Sequence, residues 1–304
     1  MSRIDTILVA TDFSERAARA ENRAAMLRAQ VGDGTIELLT VKEAGLPDTL
    51  ARAMNSSVES AHALIAEQTE RELRSRAATL QDNHGIHCAH AVRFGGAAGE
   101  IVGRADQVAA GLIVAGAHGG NFFTDLLLGN TADKLVRISK RPLLVVKNEA
   151  RQPYRQVLVP VDFSQDAEHA ARLALDIAPD ADITFLHAFD VSFEGHMQYA
   201  NVSRDLINDY RVRAREDARI ELNRFIDALQ AKDRNLTRVI TFGLPGPVVR
   251  DHAKAMKPDL IVMGKHGRSR FEEMLIGSVT RDTMDQSDAD ILIVSSQIRD
   301  AAKA

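Results

Sequence analysis

Short apolar runs alternate with helical patterns along the whole chain. The runs "LLVV" (143–146) and "ILIV" (291–294) are apolar at every position rather than at every second one. Strands of this kind have both faces covered by helices. Strict alternation of strands and helices implies right-handed crossovers and a parallel sheet. The pattern therefore predicts an α/β fold of the doubly wound class.

The same pattern predicts five strands in each half of the chain. In the first half the predicted strands are 4–10, 35–42, 87–94, 111–116 and 142–147, and the predicted helices are 14–31, 57–82, 98–109 and 130–140. In the second half the predicted strands are 156–161, 182–189, 236–242, 259–264 and 290–295, and the predicted helices are 165–178, 203–232, 246–256 and 278–287.

The two halves repeat each other in sequence. "ILVATDFSERAARAENRAAML" (7–27) aligns with "VLVPVDFSQDAEHAARLALDI" (157–177). The period is far longer than that of a stacked repeat array, so it indicates a duplicated domain. The joint falls near the polar stretch "NEARQPY" (148–154), which contains a proline. We predict two tandem domains, 1–148 and 154–304.

Composition and charge narrow the class of protein. A chain of 304 residues with 45% hydrophobic and 26% charged residues is ordinary for a globular protein with two domains. Its single cysteine, Cys88, fits a reducing compartment. A net charge of −4 gives no broad surface for nucleic acid or anionic membrane, and the apolar runs are too short to span a bilayer. We expect a cytoplasmic protein without a nucleic-acid or membrane partner.

A glycine-rich motif follows the fourth predicted strand of each half. "GKHGRSRFEEMLIGS" (264–278) has the spacing G-x2-G-x9-G-S, and "GAHGGNFFTDLLLGN" (116–130) repeats the glycine spacing. In open parallel sheets, ligands lie beyond the carboxyl ends of the strands. Glycines let a backbone approach phosphates closely, and a helix start attracts anions. The motif therefore predicts a phosphate site.

Side chains around the second motif support this hypothesis. Ser278 and Thr280 offer hydroxyl donors, and positive charge in the loop comes from Lys265, Arg268 and Arg270. The alternative is structural. In that case the first two glycines serve a tight turn, and Ser278 is a helix N-cap. His266 could contact phosphate or anchor the loop.

The second motif resembles the nucleotide-binding signature of the universal stress protein family. "LVPVDFS" (158–164) also resembles the end of that family's first strand, and the resemblance covers essentially the whole chain twice. It implies a tandem universal stress protein that binds an adenine nucleotide, namely ATP, and it leaves open an accompanying Mg²⁺ and the alternatives ADP and AMP. The site residues that this resemblance and the loop chemistry indicate are Pro160, Asp162, Ala188 (by its backbone), Met263, Gly264, His266, Gly267, Arg268, Gly277, Ser278, Val279 and Thr280.

The first copy departs from the family pattern. Five of its residues stand at family positions, namely Asp12, Val41, Gly116, Gly119 and Gly129. Its fourth predicted helix starts with Asn130 and Thr131. Asn130 replaces the serine or threonine, although asparagine is an equally good N-cap. Ala117, Gly120 and Phe122 occupy the places of the three loop cations. We therefore predict that the first copy binds nucleotide weakly or not at all.

Other chemistry is poorly supported. In "HGIHCAH" (84–90) only Cys88 and His90 share a strand face, which is too few for a metal site, so none is predicted. The chain has no Walker A motif and no G-x-G-x-x-G after a strand. Three function classes stay open: a nucleotide-binding stress or regulatory protein that acts through conformation or a protein partner, a slow ATPase or related ATP-using enzyme, and an interaction module without nucleotide. Because no acid, base and nucleophile set is visible, we expect at most slow ATP hydrolysis.

The last strand of each copy suggests how the copies associate. The runs 143–146 and 291–294 fall at predicted sheet edges, and exposed edges tend to be paired or covered. The family resemblance implies that the copies pair through these strands as an intrachain pseudo-dimer. A homodimer is a further possibility.

Overall fold

Parallel strands alternate with helices throughout the described chain. The computed structural model describes residues 4–117, 129–190, 203–231, 233–267 and 276–296, and within them ten strands and nine helices occur. The registered strand pairs are all parallel. The predicted α/β class with two tandem parallel-sheet units is confirmed.

The first unit runs to Pro153 and also includes Asp290–Leu292. Its strands are β1 (Thr6–Ala10), β2 (Thr35–Lys42), β3 (His87–Phe94), β4 (Leu112–Gly116) and β5 (Leu143–Val146). Its helices are α1 (Glu15–Val31), α2 (Leu46–Met54), α3 (Val58–His84), α4 (Ala97–Gln107) and α5 (Asn130–Ile138). The strand order is β3-β2-β1-β4-β5.

The second unit comprises Tyr154–Ala289 and Ile293–Ser296. Its strands are β6 (Gln156–Pro160), β7 (Asp182–Phe189), β8 (Leu236–Phe242), β9 (Leu260–Gly264) and the last two residues of β10 (Asp290–Val294). Its helices are α6 (Gln165–Ile177), α7 (Arg204–Ala228), α8 (Pro245–Met256) and α9 (Ser278–Gln286). The order β8-β7-β6-β9-β10 reverses direction between β6 and β9, and this switch point is where open α/β sheets bind ligands.

Serine caps fix the starts of four helices. Ser14 and Ser164 accept a hydrogen bond from the backbone N–H three residues on, at the starts of α1 and α6, and Ser57 and Ser203 do the same for α3 and α7. Each cap satisfies one of the N–H groups that a helix start leaves without a partner, and this contributes about 1 kcal/mol. The repeated Asp-Phe-Ser sequence therefore sets the same strand-to-helix turn in both units.

The sheet of the second unit is covered by apolar side chains. Leu158 and Ile261, on neighbouring strands, are fully buried, and they cluster with Val249 of α8. Full burial of such a side chain stabilises the fold by about 1.5–3 kcal/mol. The continuously apolar strands are thus explained by helices on the sheet faces. Within the described residues, no helix combines the length and apolar character that crossing a bilayer requires.

Helix α2 is absent from the sequence prediction, which treated its residues as a loop. It spans nine residues, and Pro47 lies in its first turn. Proline is compatible with that position because the N–H it lacks has no helical acceptor there. The "GLPD" sequence therefore starts a helix although it is typical of a turn. The other predicted elements agree with the structure to within a few residues.

Candidate functional site

A cavity of about 510 Å³ lies beyond the carboxyl ends of β6, β7 and β9 in the second unit. That volume falls in the range of about 300–1,000 Å³ that is typical of small-molecule sites. Every residue predicted for the second copy lines it, apart from Arg268, which lies outside the described residues. The sequence did not predict seven further lining residues, namely Val161, Ala167, Leu186, His187, Pro245, Val249 and Ile276.

The three glycines of the second motif differ in how closely the rest of the protein approaches them. A Cβ on Gly264 would lie 2.8 Å from the Cβ of Asp166, and a Cβ on Gly267 would lie 2.9 Å from Oδ2 of Asp162. Packing inside the protein therefore requires Gly264, whereas a side chain at residue 267 would displace the end of the Asp162 side chain. A Cβ on Gly277 would meet nothing closer than 3.4 Å, which is an ordinary contact. Gly277 alone among these three is not explained by internal packing.

Packing at Gly264 gives a stability prediction with a matched control. We expect Gly264→Ala to lower the free energy of unfolding by about 1–3 kcal/mol, because the added methyl group overpacks the start of α6. Gly103→Ala should raise it by about 0.5–1 kcal/mol, because Gly103 lies on exposed α4 with nothing within 4 Å of the new Cβ. Urea unfolding measures both changes, and equal changes would contradict the packing argument.

The start of α9 exposes backbone donors to the cavity. Gly277 is the N-cap and supplies no side-chain acceptor, and Ser278 is the first helical residue. The structural alternative in which Ser278 caps the helix is therefore wrong. The N–H groups of the first turn have no intrahelical acceptor, and the helix dipole makes this end attractive to anions. The lining residues of this turn are Ser278, Val279 and Thr280.

Two side chains assigned to phosphate are used by the protein itself. The hydroxyl of Thr280 donates to the carbonyl oxygen of Gly264 at 2.9 Å, so this donor closes the loop onto the strand end. Lys265 is only 3% exposed and is not among the residues that line the cavity. The prediction that Lys265 presents its charge to the site is wrong, because the side chain after Gly264 turns into the protein. Arg270 lies outside the described residues.

The turn after β6 places the carboxylate of Asp162 at the cavity. Oδ1 of Asp162 accepts hydrogen bonds from the backbone N–H of Ser164 at 3.0 Å and from its hydroxyl at 2.6 Å. Phe163 has a φ of 62°. A positive φ is unusual for a bulky residue, and residues in such rare backbone conformations cluster at functional sites. Its ring lies 4.4 Å from the ring of His187.

A second orienting contact holds the ring of His187. Its Nδ1 lies 2.7 Å from the carbonyl oxygen of Val161. A carbonyl can only accept, so Nδ1 carries the proton. No sequence pattern indicated this contact, although His187 directly precedes the predicted site residue Ala188.

Asp166 and His266 form a buried pair at the edge of the cavity. Oδ2 of Asp166 lies 3.1 Å from both the backbone nitrogen and Nδ1 of His266, and Oδ1 accepts from the backbone N–H of Ser296 at 2.8 Å. Burial raises the pKa of the Asp166 carboxyl, but the hydrogen bonds from Ser296 and His266 outweigh it, so the pKa lies below its ordinary value. The carboxylate is therefore ionised at neutral pH. Sequence reasoning did not find this pair, whose members lie 100 positions apart.

The first unit repeats part of this arrangement. Asp12 accepts from Ser14 as Asp162 does from Ser164, and Val41 and Gly116 lie at the ends of β2 and β4. Gly129 is the N-cap of α5, so the prediction that Asn130 is the N-cap is wrong. Asn130 and Thr131 are the first helical residues, and both are exposed. Gly119 lies outside the described residues.

Cys88 is a poor candidate for metal binding. It is 7% exposed, and burial together with the charge of Glu21 raises the pKa of its thiol to about 12. The thiol therefore stays protonated at neutral pH, whereas metals bind the thiolate. In the described part of the chain, no group of three or more possible ligands is close enough to hold a metal ion.

Comparison with known proteins gives the same assignment for both halves. The model of the universal stress protein family matches residues 3–147 and again residues 153–295. The chain belongs to the universal stress protein family. Because the model matches twice, the chain is a tandem member with two universal stress protein domains.

Individual relatives are distant. Universal stress protein Rv1996 of Mycobacterium tuberculosis is 29% identical over 189 residues, which is 60% of this chain and 58% of the mycobacterial protein. The match thus spans less than two thirds of that relative. Universal stress protein MJ0577 of Methanocaldococcus jannaschii is 25% identical over 153 residues, which is 46% of this chain and 94% of that protein.

Solved structures support the fold over the full length. A universal stress protein from Archaeoglobus fulgidus matches with a TM-score of 0.71 and 18% identity, and it covers 96% of this chain and 99% of its own. A second, from Pseudomonas aeruginosa, matches with a TM-score of 0.60 and 18% identity over 99% of this chain and 98% of its own. At this identity the likeness shows the fold and not the ligand.

Proposed function

We propose that the second domain binds ATP and that the chain is a stress-response or regulatory protein acting through nucleotide-dependent conformation or a protein partner. The observation that carries this proposal is the cavity at the switch point between β6 and β9, into which the uncapped start of α9 opens. Backbone N–H groups at such a start suit the phosphates of a nucleotide. ADP and AMP would fit the same chemistry and are alternatives.

The lining of the cavity divides into an apolar and a polar part. The apolar part, which includes Pro160, Val249 and Met263, suits the face of a purine base, and the backbone of Ala188 at the end of β7 suits its edge. The Asp162 carboxylate is an acceptor suited to ribose hydroxyls. A Mg²⁺ ion would enter with the phosphates, since it is usually held by them and by water.

We propose that one nucleotide binds tightly per chain. The second domain offers Ser278 at the helix start, where the first offers Asn130. Arg268 and Arg270 add charge to the second loop in the sequence, whereas Gly120 and Phe122 stand at the first. Charge-assisted hydrogen bonds to phosphate are about twice as strong as neutral ones.

We propose 1–148 and 154–304 as the boundaries of the two domains.

Two measurements test the proposal directly. Mass spectrometry of the purified, denatured protein should identify an adenine nucleotide that copurified with it. Calorimetric titration of nucleotide-free protein with ATP, ADP, AMP and GTP should then give a stoichiometry near one per chain. Two equally tight sites would contradict the asymmetry, and no binding of any of these nucleotides would favour an interaction module without nucleotide.

We expect at most slow ATP hydrolysis. The cavity-lining residues supply binding groups. Among the described contacts, however, no lining serine or cysteine has a histidine at hydrogen-bond distance that could activate it as a nucleophile. Phosphate release should therefore stay well below the usual enzymatic turnover of about 1–1,000 per second. A turnover within that range, abolished by Gly277→Val and hence not due to a contaminant, would contradict this expectation.

The assembly and the location of the protein stay predictions. Pairing of the copies through 143–146 and 291–294 is proposed on the family resemblance, as is a further homodimer. The protein partner is unidentified, and a cytoplasmic location is inferred from sequence composition alone.

A further inference from the structure

One polar atom at the cavity is buried without a partner. Nε2 of His266 has no hydrogen bond within the described part of the chain and is shielded from solvent. The side chain as a whole is 11% exposed and lines the cavity. A buried polar atom of this kind costs free energy unless something satisfies it, so it calls for an explanation. A ligand in the cavity would supply the missing contact.

Asp166 fixes what that atom can do. Its carboxylate accepts from Nδ1 of His266 at 3.1 Å, so Nδ1 carries a proton and the ring is held in one orientation. The backbone N–H groups of His266 and Ser296 hold the carboxylate in turn. With Nδ1 occupied, the neutral imidazole presents a lone pair at Nε2, and the imidazolium presents an N–H donor.

We propose that Nε2–H of the His266 imidazolium donates to a phosphate oxygen of the bound nucleotide, so that nucleotide binding takes up a proton from solvent and weakens as pH rises. This inference rests on the proposed nucleotide function. A phosphate oxygen facing a lone pair is repelled, whereas one facing an N–H is attracted, so the anion favours the protonated ring. An ordinary imidazole titrates near pH 6.5, within the physiological range.

The other charged groups at the cavity do not reproduce this effect. Asp162 faces the loop from the end of β6, and its carboxylate oxygens are acceptors that cannot donate to a phosphate. His187 of β7 also lines the cavity, but its Nδ1 is held by a neutral carbonyl rather than by a carboxylate. Lys265 is buried away from the cavity. The cavity-lining residues of α8 and α9 carry no charge.

The first copy lacks the orienting acid. His118 corresponds to His266 in the repeated motif, but Arg16 stands where the second copy has Asp166. A carboxylate that accepts from Nδ1 orients the ring and leaves Nε2 as the atom that faces a ligand. The proton-linked contact therefore belongs to the second copy alone.

Calorimetry in buffers of different ionisation enthalpy tests the proposal, because the dependence of the heat on the buffer counts the protons taken up. ATP would be titrated into wild type, His266→Gln and His252→Gln at pH 6.5, 7.5 and 8.5. Glutamine keeps an amide donor but cannot be protonated. His252 is the control, because its Nε2 lies 2.8 Å from the hydroxyl of Thr241 and it does not line the cavity. The ionisation of ATP itself cancels when variants are compared.

We expect wild type and His252→Gln to take up more protons than His266→Gln at pH 7.5. Wild type should bind ATP about tenfold more tightly than His266→Gln at pH 6.5, with a smaller difference at pH 8.5. Equal proton uptake by all three proteins would overturn the role of His266 and leave nucleotide binding standing. If wild type binds no nucleotide at any pH, both proposals are overturned.

A second measurement covers the case in which His266→Gln does not fold. NMR titration of the ring protons of the ten histidines in the wild type, with and without ATP, follows each protonation directly. One histidine should titrate at a higher pH when ATP is bound. If no histidine shifts although ATP is bound, the proposal is overturned.

Discussion

The double variant Gly277→Val/Ser278→Ala is expected to lose ATP affinity by at least about a hundredfold. Gly277 adjoins the first N–H groups of α9, and two methyl groups on a valine Cβ would cover them. The serine change removes a hydroxyl donor at the same helix start. Loss of one hydrogen bond to a charged group accounts for about 1.5–3 kcal/mol, and exclusion of the phosphates adds to it.

The fold should survive this change. A Cβ on Gly277 would lie 3.4 Å from the carbonyl oxygen of Lys265 and 3.5 Å from Oγ1 of Thr280, which are ordinary contacts. The φ of Gly277 is −56°, which valine adopts readily. Unchanged circular dichroism beside lost binding, measured by calorimetry, would therefore assign the effect to the site.

The matched control is Gly129→Val/Asn130→Ala at the start of α5 in the first domain. Gly129 is the N-cap there as Gly277 is at α9, so the two double variants change equivalent positions. The control should bind ATP nearly as tightly as wild type. Equal losses from both double variants would contradict the assignment of the tight site to the second domain.

The fold could be predicted because its signals are local. Continuously apolar strands, helical patterns and Asp-Phe-Ser turns each act within a few residues, and the duplication supplied every signal twice. Helix α2 was missed because Pro47 and the preceding Gly45 are equally compatible with a turn and with a helix start. In the structure α2 contacts α3, and the local sequence pattern carries no information about that contact.

The site could be predicted only as far as strand ends determine it. The ends of parallel strands meet at one edge of the sheet, and Pro160 and Ala188, which the family resemblance indicated, line the same cavity as Gly264. The direction of a side chain after a strand end follows no simple rule, and for this reason Lys265 was placed in the cavity although it is buried. The contact between Asp166 and His266 joins a helix start to a distant loop. No sequence period signals such a contact.

Asp166 is also expected to matter for stability. In Asp166→Ala the backbone N–H groups of His266 and Ser296 lose their acceptor inside the protein. A buried donor left without a partner costs about 1–3 kcal/mol, so we expect the free energy of unfolding to fall by roughly 2–4 kcal/mol at pH 7. Urea unfolding followed by circular dichroism measures the change.

The same carboxylate predicts a pH dependence with a definite sign. The pKa of Asp166 is lower in the folded state than its ordinary value, because the hydrogen bonds from Ser296 and His266 outweigh the opposing effect of burial. Its stabilising contribution is therefore fully present above the ordinary aspartate pKa of about 3.9 and is lost as the pH falls through the folded value. The stability difference between wild type and Asp166→Ala should be constant above that ordinary pKa and should shrink as the pH falls below it, and a difference that stays constant in acid would contradict the ionised pair.

Asp176 on the same helix is the control with the opposite sign. Burial raises the pKa of its carboxyl, and the charges of Arg234 and Arg172 offset this only in part. Asp176 also lies in the last turn of α6, where the helix dipole disfavours a negative charge. Its ionised form therefore opposes folding at neutral pH, and Asp176→Asn should raise the free energy of unfolding at pH 7, with the gain lost in acid. If both Asp166→Ala and Asp176→Asn lower the free energy of unfolding at pH 7, α6 tolerates no change of charge. The opposite roles assigned to the two carboxylates would then be wrong.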